Sequence, residues 1–463
     1  MNKLRANCLN FTELLAQNIA LISPTMTAAL IVPLMFSNTA NISWLSYAVG
    51  TVMLLFVAVN LNQFAKRTTN AGSMYTYAAS GLGFGGGALT GWCLVWAYLF
   101  IGLAGTTGFA IFADKLLQMV HINAPPSVLF IICLAACFLL AYKDIKISTL
   151  VMLALEGFSC FFIIALCFIV LGKHHFAPDM TQFTLKGASL FNLGLGVVVA
   201  VFSLVGFESS TAFGEEAKNP LKTIPRSIIW SLVIAGLFFM FVCYVEVLGI
   251  QGYKDTLDKV DAPLNVLSVM YGVPYLSPIL SAGAMFSFFA LALSCMNAGA
   301  RVMFAMGRHD FFHKSTAAAH GRHATPHIAL AVMAVLMFVV LTVAKASMGL
   351  EVLDAFNDAG TMGAFGFVGA YFLVSLAAPF YLKKCGQLKA MDLVLSVTAL
   401  VLLLIPIVGS VYPVPSAPVN YFPYAFGAYL FFGLLRVMAM QHQKPARVDE
   451  IHDEIKKIHV VAA

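Results

Sequence analysis

Long apolar runs separated by short polar segments dominate this sequence. A membrane-spanning helix needs about 20 apolar residues, and twelve runs reach that length. The pattern predicts an all-α polytopic membrane protein with twelve transmembrane helices. The predicted spans have the approximate limits 14–37, 42–64, 85–115, 125–142, 147–171, 189–213, 227–249, 273–306, 326–344, 359–382, 391–411 and 421–440.

Two spans are interrupted by residues that a continuous helix tolerates poorly. Ser23-Pro24-Thr25 lies in the middle of the first span, and Gly206 stands close to Glu208 in the sixth. Proline removes a backbone donor, and a carboxylate inside the bilayer normally faces a cavity or a partner. An ordinary proline kink would explain the first interruption alone. Matching breaks five spans apart favour instead an inverted-repeat transporter with discontinuous helices 1 and 6.

This symmetry predicts the organisation of the chain. The first inverted repeat covers 14–171 and the second covers 189–382, with five spans in each. The last two spans, within 391–440, are expected to be peripheral. A tail of residues 1–13 precedes the first span, and a tail of residues 441–463 follows the last.

Composition and charge support a membrane protein with a defined orientation. Hydrophobic residues make up 60% of the 463 residues, which is more apolar surface than a soluble domain of this length can bury. With both termini in the cytoplasm, 21 of the 27 Lys and Arg residues fall in inner segments and the remaining 6 in outer ones. This is the positive-inside pattern of a protein in the cytoplasmic membrane. It also accounts for the net charge of +6 without a nucleic-acid partner.

Further polar residues inside the spans are candidates for ion coupling. Glu156 lies deep in the fifth span, where a carboxyl is suited to carry a proton, although a structural hydrogen bond explains it equally well. Ser294 and Asn297 lie in the eighth span. They are candidates for a substrate or sodium site, and hydrogen bonding between helices is their simpler role.

Three other residues are candidates for the walls of a substrate cavity. Trp96 in the third span either lines such a cavity or packs against other aromatic side chains, which is the commoner role. Thr361 and Asp358 lie near the start of the tenth span and would border the cavity from outside.

Residues for enzyme chemistry are not placed where an active site needs them. All eleven His residues fall in loops or at span ends, which supports neither a buried Ser–His pair nor a metal centre. The nine Cys residues include no CxxC pair and are interpreted as packing residues. The sequence therefore predicts neither an enzyme nor a cofactor or metal site.

Three motifs resemble those of a known transporter superfamily. GFESSTAFGEEAKNPLKTIPRSI in the sixth span resembles a signature of the amino acid–polyamine–organocation superfamily, a GFE or GxE step followed by EEAKNPxxxIP. AGSMYTYAASGLG after the second span resembles its GGxYxYxxxxxG loop. NAGARVMFAMGRHDFF resembles the end of its eighth span, and the similarity covers about residues 12–440.

The resemblance implies a five-plus-five inverted-repeat fold of the LeuT type, alternating access, and a substrate site between the broken helices. The family residues that contact or gate the substrate in the sixth span match Phe202, Ser203, Gly206, Phe207 and Glu208.

Two departures from the superfamily pattern concern the substrate site and the coupling ion. Many proton-coupled members carry a lysine in the fifth span, but the best match here is Ser159, one turn from Glu156. Lysine-based coupling is therefore not implied. The family's break in the first span is usually glycine-rich, and its amides receive the carboxylate of an amino acid. Here the break reads Ser23-Pro24-Thr25, and that task would fall to the hydroxyls of Ser23 and Thr25 and to the amides beyond Pro24, those of Thr25 and Met26.

Together these observations predict a secondary active transporter of amino acids that is proton-coupled or works by exchange. Sodium is the second candidate for the coupling ion. A transporter of polyamines or other organic amines is the alternative, because Glu208 could bind an amine and the glycine-rich carboxylate site is lost. A nutrient sensor that binds without transporting is a more distant alternative.

Overall fold

The computed structural model describes residues 4–184, 189–260 and 262–458. Its helices, in chain order, are α1 (Phe11–Ile22), α2 (Pro24–Met26), α3 (Val32–Thr39), α4 (Ser43–Ala65), α5 (Met74–Met119), α6 (Pro126–Lys143), α7 (Ile145–Lys173), α8 (Met180–Phe183), α9 (Leu190–Leu204), α10 (Pro220–Gly249), α11 (Pro263–Met270), α12 (Leu276–Arg308), α13 (His327–Met348), α14 (Val352–Lys384), α15 (Ala390–Gly409), α16 (Phe422–Gln443) and α17 (Pro445–Ile458).

The first span is broken at Ser23, as predicted. Ser23 has a left-handed backbone with φ +52°, and its N–H donates to the Ile19 carbonyl at 2.9 Å, which ends α1. Pro24 then occupies the first position of the next helical segment, where its missing N–H has no helical partner to lose. A π-helical turn, Thr27–Ile31, joins α2 to α3. The second half of the span is therefore a continuous but irregular helix.

The sixth span is broken at Gly206, also as predicted. The α9 helix ends at Leu204, and Gly206 follows with φ +93°. A Cβ atom at this position would collide with the side chain of Leu21 in α1, so both the backbone angle and the close approach require glycine. The chain continues as the 3-10 turn Ser209–Phe213. The two breaks thus lie side by side.

Eleven segments of the described residues are long and apolar enough to cross a membrane. The first of them, Phe11–Ala65, contains 55 residues and includes the first two predicted spans. Within it the 3-10 turn Ala40–Ile42 separates α3 from α4. Both helices pack against α9, which indicates that the chain reverses direction at this turn. The all-α transporter architecture is confirmed, while the total of twelve crossings stays a prediction.

The centre of the bundle is α5, which packs along α12 and α14. Small residues permit this packing: a Cβ atom at Gly363 would lie 2.5 Å from the Ile101 side chain, and one at Gly105 would lie 2.8 Å from the backbone nitrogen of Ala292. Close approach at glycine is typical of helix pairs in membranes. In contrast, α15 and α16 lie at the periphery and expose large apolar side chains to lipid.

Both ends of the described chain pack at the same end of the bundle, which we call the terminal face. Leu9 forms a parallel bridge with Ala217, and the N–H of Lys218 donates to the Leu9 carbonyl at 2.7 Å. The predicted C-terminal tail contains α17, which packs against α5 and α16. Residues 1–3 and 459–463 of the predicted tails lie outside the described residues.

Candidate functional site at the two helix breaks

Glu208 lies at the break of the sixth span and is completely buried. The Tyr371 hydroxyl of α14 donates a short hydrogen bond to Glu208 Oε2, and the Tyr98 hydroxyl of α5 lies 3.5 Å from Oε1. The Tyr371 oxygen also accepts the N–H of Gly206 at 3.0 Å. Phe207 packs its ring 5.2 Å from the Tyr371 ring. The carboxyl group therefore links the break to both α5 and α14.

Asn18 of α1 joins the two broken spans directly. Its side-chain oxygen accepts the N–H of Ser210 at 2.7 Å and the hydroxyl of Ser209 at 3.1 Å. Its amide donates to the Ser231 hydroxyl of α10 at 3.3 Å. Backbone groups freed by the break are thus bonded to neighbouring helices, which a broken helix in a membrane requires.

A second polar cluster surrounds the break of the first span. The Oε1 atom of Glu156 in α7 accepts the N–H of Thr25 at 3.5 Å and its hydroxyl at 3.4 Å. The Thr25 hydroxyl is also 2.5 Å from that of Ser159, and the Ser23 hydroxyl is 2.9 Å from that of Ser287 in α12. The other carboxylate oxygen of Glu156 has no hydrogen bond within 3.5 Å in the described part of the chain. One carboxyl and four hydroxyls can hold a proton or a small cation at this point.

An apolar cavity of about 740 Å³ lies in the half of the bundle away from the terminal face. It is partly open and is lined mainly by residues of α3, α9, α14, α15 and α16. Phe202 and Thr361, both predicted to contact the substrate, line it. Phe202 precedes Gly206 by about one helical turn, so this part of the wall lies near the break of the sixth span, but Ser23, Gly206 and Glu208 do not line the cavity. The polar residues in its wall are Ser37, Asp258, Asn357, Thr361 and Ser410.

A buried ion pair lies at the terminal face. Arg301 of α12 and Glu216 are both completely buried, and the guanidinium donates to the two carboxylate oxygens, in one case at 2.8 Å. The guanidinium also lies over the Phe213 ring, 4.3 Å from its centre. The N–H of Cys8 donates to the Glu216 carbonyl at 2.8 Å. We call the layer formed by Cys8, Phe213, Glu216 and Arg301 the terminal gate.

Two predicted residues form hydrogen bonds with other helices, and a third bonds within its own helix. Ser294 donates to the Gln17 carbonyl at 2.9 Å and accepts the Gln17 amide at 2.7 Å. Asn297 donates to the Ser148 hydroxyl of α7 at 2.7 Å. Both contacts match the interhelical role offered from the sequence. The Ser203 hydroxyl donates to a backbone carbonyl of its own helix, α9, at 3.1 Å.

Other predicted residues lie away from the breaks or pack against neighbouring helices, and the Trp96 indole N–H also donates to the Met362 carbonyl of α14 at 2.8 Å. Trp96 packs between aromatic rings, with centre-to-centre distances of 4.4 Å to Phe100 and 4.6 Å to Tyr429. Met26 is buried in the apolar core. Asp358 is half-buried near the start of α14, and the lining of the cavity does not include it.

Sequence reasoning gave no role to three residues that hold this site together: Tyr371, Asn18 and Arg301. A signal existed for Arg301, because a cation inside an apolar run needs a partner and two acids follow the sixth span. No local pattern indicates that Tyr371 bonds to a residue 163 positions earlier in the chain. Among the described residues, no group of three or more His, Cys, Asp and Glu side chains could hold a metal ion.

Comparison with known sequences identifies similar transporters. The family described as amino acid permease matches residues 14–415. The branched-chain amino acid permease BcaP of Bacillus subtilis is 25% identical over 62% of this chain and 64% of its own length, slightly less than two thirds. BcaP of Lactococcus lactis is 29% identical, with 71% and 73% covered. The low-affinity putrescine importer PlaP of Escherichia coli is 24% identical, with 73% and 74% covered.

Comparison with solved structures supports the fold. A crystal structure of a manganese transporter variant from Eremococcus coleocola superposes with a TM-score of 0.55 and covers 95% of both chains. The sequences are only 12% identical, so the likeness concerns the fold alone. It agrees with the inverted-repeat architecture expected from the two broken spans.

Proposed function

Because this chain belongs to the amino acid permease family, we propose that it carries amino acids across the cytoplasmic membrane by alternating access. It acts as a secondary transporter driven by an ion gradient or by exchange. Membership of a transporter family also excludes the membrane-enzyme alternative.

The observation that carries this proposal is the relation between the cavity and the terminal gate. The cavity reaches Phe202 near the break of the sixth span, while the buried Glu216–Arg301 pair lies at the opposite end of the bundle. A site between broken helices that is closed at one end is what alternating access requires. The charge distribution supports a cytoplasmic terminal face, in which case this conformation faces outward.

The cavity wall supports amino acids with apolar side chains as substrates. Aliphatic side chains from α9 and from the second half of the first span form one wall, including Ile31, Val198 and Val201. An apolar wall selects ligands by shape and by burial of apolar surface. Two relatives carry the name branched-chain amino acid permease, which makes branched aliphatic amino acids the first candidates.

One contact favours a second candidate, an amine without a carboxylate. In the superfamily the amides at the first break receive the carboxylate of the substrate. Here the Thr25 N–H already bonds to the carboxylate of Glu156 at 3.5 Å. An amino acid would have to compete with this internal acid, whereas a polyamine would not. The relative PlaP is named a putrescine importer.

Competition at the Thr25 N–H also offers a mechanism for proton coupling through Glu156. A neutral carboxyl is a weaker hydrogen-bond acceptor than a carboxylate at the positive end of a helix. Protonation of Glu156 would therefore loosen its bond to Thr25 and free that N–H for a substrate carboxylate. Proton and amino acid would then bind together. Sodium is the alternative ion, because the hydroxyls of Thr25, Ser159, Ser23 and Ser287 surround the same carboxyl.

Uptake into proteoliposomes tests the proposal. Labelled leucine, alanine, lysine, glutamate and putrescine would be offered in three parallel series: with an inward proton gradient, with an inward sodium gradient, and with neither. Uptake of leucine stimulated by the proton gradient is the expected result. Uptake of putrescine alone would favour the amine candidate. Stimulation of uptake by the sodium gradient alone would identify sodium, rather than the proton, as the coupling ion. Saturable binding without uptake of any compound would indicate a sensor.

A further inference from the structure

Glu246 of α10 is a buried acid that the transport site described above does not use. It lies three residues before Gly249, where α10 ends. Its side chain is completely buried, and neither carboxylate oxygen has a hydrogen-bond partner among the described residues. No other acid in the described part of the chain combines complete burial with two unbonded oxygens.

Among the described residues, no cation forms a hydrogen bond with Glu246. Phe239, Cys243 and Glu246 follow one face of α10, and the Phe239 ring lies 5.3 Å from the Tyr47 ring of α4. The titratable groups within electrostatic range are Tyr47 of α4, Cys167 of α7 and Cys243 of α10 itself.

Among the other described elements that pack against α10, positive charge near this end is found at the end of α7. The segments 27–39, α9 and α11 contain no charged residue, and α1 contributes only Glu13 near its start. In α7 the remaining titratable residues are Lys146, Glu156, Cys160 and Lys173, and Lys173 is exposed in the last turn, three residues beyond Val170, which approaches Gly249. The next residue, His174, has its Nε2 atom 2.7 Å from the Tyr271 hydroxyl, which donates to the Gly249 carbonyl at 2.9 Å. The loop residue Asp179, whose N–H donates to the Tyr244 hydroxyl, binds Thr181, Gln182 and Gln251 through its carboxylate.

An ionised carboxylate cannot persist in such a place. Removing a charge from water without a partner costs several kcal/mol, so Glu246 carries a proton in this conformation. A group needed only for packing would be served as well by an apolar side chain. A carboxyl differs because it can release its proton once water reaches it. Its helix also packs against the π-helical turn Thr27–Ile31, which belongs to the broken first span.

We propose that Glu246 is a proton-binding site of the transport cycle, distinct from Glu156 and nearer the face opposite the terminal gate. The proposal rests on the proposed function as a proton-coupled transporter. Cys167 stands eleven residues beyond Glu156 in α7, about 16 Å along the helix, which separates the two acids. Glu246 takes its proton from water at that face, forming the O–H bond of a neutral acid. It returns the proton to water when the broken spans rearrange.

The test compares Glu246→Gln with wild type in two assays on the same proteoliposomes. Glutamine keeps the shape of the neutral acid but cannot release a proton. Gradient-driven accumulation of labelled leucine is expected to fall at least tenfold. Counterflow exchange, which needs no net proton movement, is expected to stay within about twofold. Glu246→Asp should retain part of the accumulation, and Glu351→Gln, at an exposed acid before α14, should behave as wild type.

Infrared difference spectra of the purified protein provide a readout that does not depend on transport. At neutral pH wild type should show a C=O band of a protonated carboxyl that is missing in Glu246→Gln and present in Glu351→Gln, separate from any band that belongs to Glu156 or Glu208. Persistence of that band, or normal accumulation by Glu246→Gln, would overturn the proposal. If Glu246→Gln does not fold, the spectrum of Glu246→Asp decides instead: a shift of the protonated-carboxyl band relative to wild type supports the proposal, and an unshifted band overturns it. Absence of leucine counterflow in wild type would refute the proposed function, while the infrared result would still decide whether Glu246 holds a proton.

Discussion

Two tyrosines determine what Glu208 can do in this conformation. From the sequence, Glu208 was a candidate for recognising the amine of a substrate. In the structure its two oxygens face the hydroxyls of Tyr371 and Tyr98, and no part of its surface is exposed. We therefore interpret Glu208 as the residue that fastens the break of the sixth span to α14. A substrate amine can reach it only after α14 moves.

Tyr371→Phe tests this interpretation. The substitution leaves the Gly206 N–H and one oxygen of Glu208 without a partner, and each buried unbonded group costs about 1–3 kcal/mol. We expect lower thermal stability of the purified protein and uptake reduced at least tenfold. Tyr98→Phe is the matched control, since it removes only a contact of 3.5 Å, and its effect should be below about 1 kcal/mol. Equal effects of the two substitutions would contradict the role assigned to Tyr371.

Glu156→Gln tests whether the cluster at the first break carries the coupling proton. Glutamine preserves the size of the side chain and cannot titrate. We expect the pH dependence of uptake between about pH 5 and pH 8 to flatten, because the proton no longer competes for the bond to Thr25. Ser159→Ala removes a hydroxyl of the same cluster and should leave the profile unchanged. A wild-type profile in Glu156→Gln would make that acid purely structural.

The terminal gate depends on an ion pair that has no access to water. Removing one partner of a buried ion pair leaves the other charge buried without a partner, which lowers the free energy of unfolding by about 3–5 kcal/mol. We expect Glu216→Gln and Arg301→Met each to lower the free energy of unfolding by that amount. The neighbouring pair Arg308–Glu215 is partly exposed, so Arg308→Gln should cost less than about 1 kcal/mol. Chemical denaturation of the three variants measures the difference, and similar costs would show that the gate pair is not special.

The C-terminal helix α17 is attached close to this gate. Arg447 donates to the Arg308 carbonyl at 3.0 Å and to Asp310 at 3.2 Å, and Ile451 is completely buried. Arg308 itself pairs with Glu215, next to the gate residue Glu216. The helix therefore holds the end of α12 from which Arg301 projects.

His309 makes the docking of α17 sensitive to pH. Its Nδ1 atom is 2.5 Å from the Tyr75 hydroxyl, and its Nε2 atom is 3.5 Å from Glu454 of α17. Burial lowers the pKa of His309 from 6.5 to about 4. When α17 detaches, the ring becomes more hydrated and the pKa returns toward its ordinary value. The docked state is thus fully favoured above about pH 6.5 and loses this advantage as the pH falls toward about 4.

Hydrogen exchange of the α17 amides tests this pH dependence. On acidification, the protection of the α17 amides should decrease more in wild type than in a His309→Gln variant measured at the same pH. Only wild type has an imidazole at position 309 that gains a proton when α17 detaches. His442→Gln, in the exposed last turn of α16, should follow wild type. The prediction fails if His309→Gln and wild type lose protection in parallel.

Across the whole molecule, local sequence patterns predicted the architecture, but contacts between residues distant in sequence were not predicted. Both breaks follow from proline or glycine at fixed positions, and the apolar runs follow from the thickness of the bilayer. Which polar groups meet is decided by packing of helices distant in sequence, as in the pairs Glu208–Tyr371 and Glu216–Arg301. Glu246 escaped notice because an acid near the end of a span looks solvated until the covering loops and helices are placed.

Alternating access predicts that substrate arriving through the cavity changes the opposite end of the protein. Cys8 belongs to the terminal gate, and burial raises the pKa of its thiol to about 11, so it should react slowly with thiol reagents while the gate is closed. Adding a transported amino acid populates gate-open states, in which the hydrated thiol ionises more readily. We expect at least threefold faster labelling of Cys8 with leucine than with a compound that is not transported. The measurement uses a Cys385→Ser background, because Cys385 is exposed, with Cys8→Ser as the blank. An unchanged rate under conditions of active counterflow would mean that the layer around Glu216 and Arg301 is not the gate.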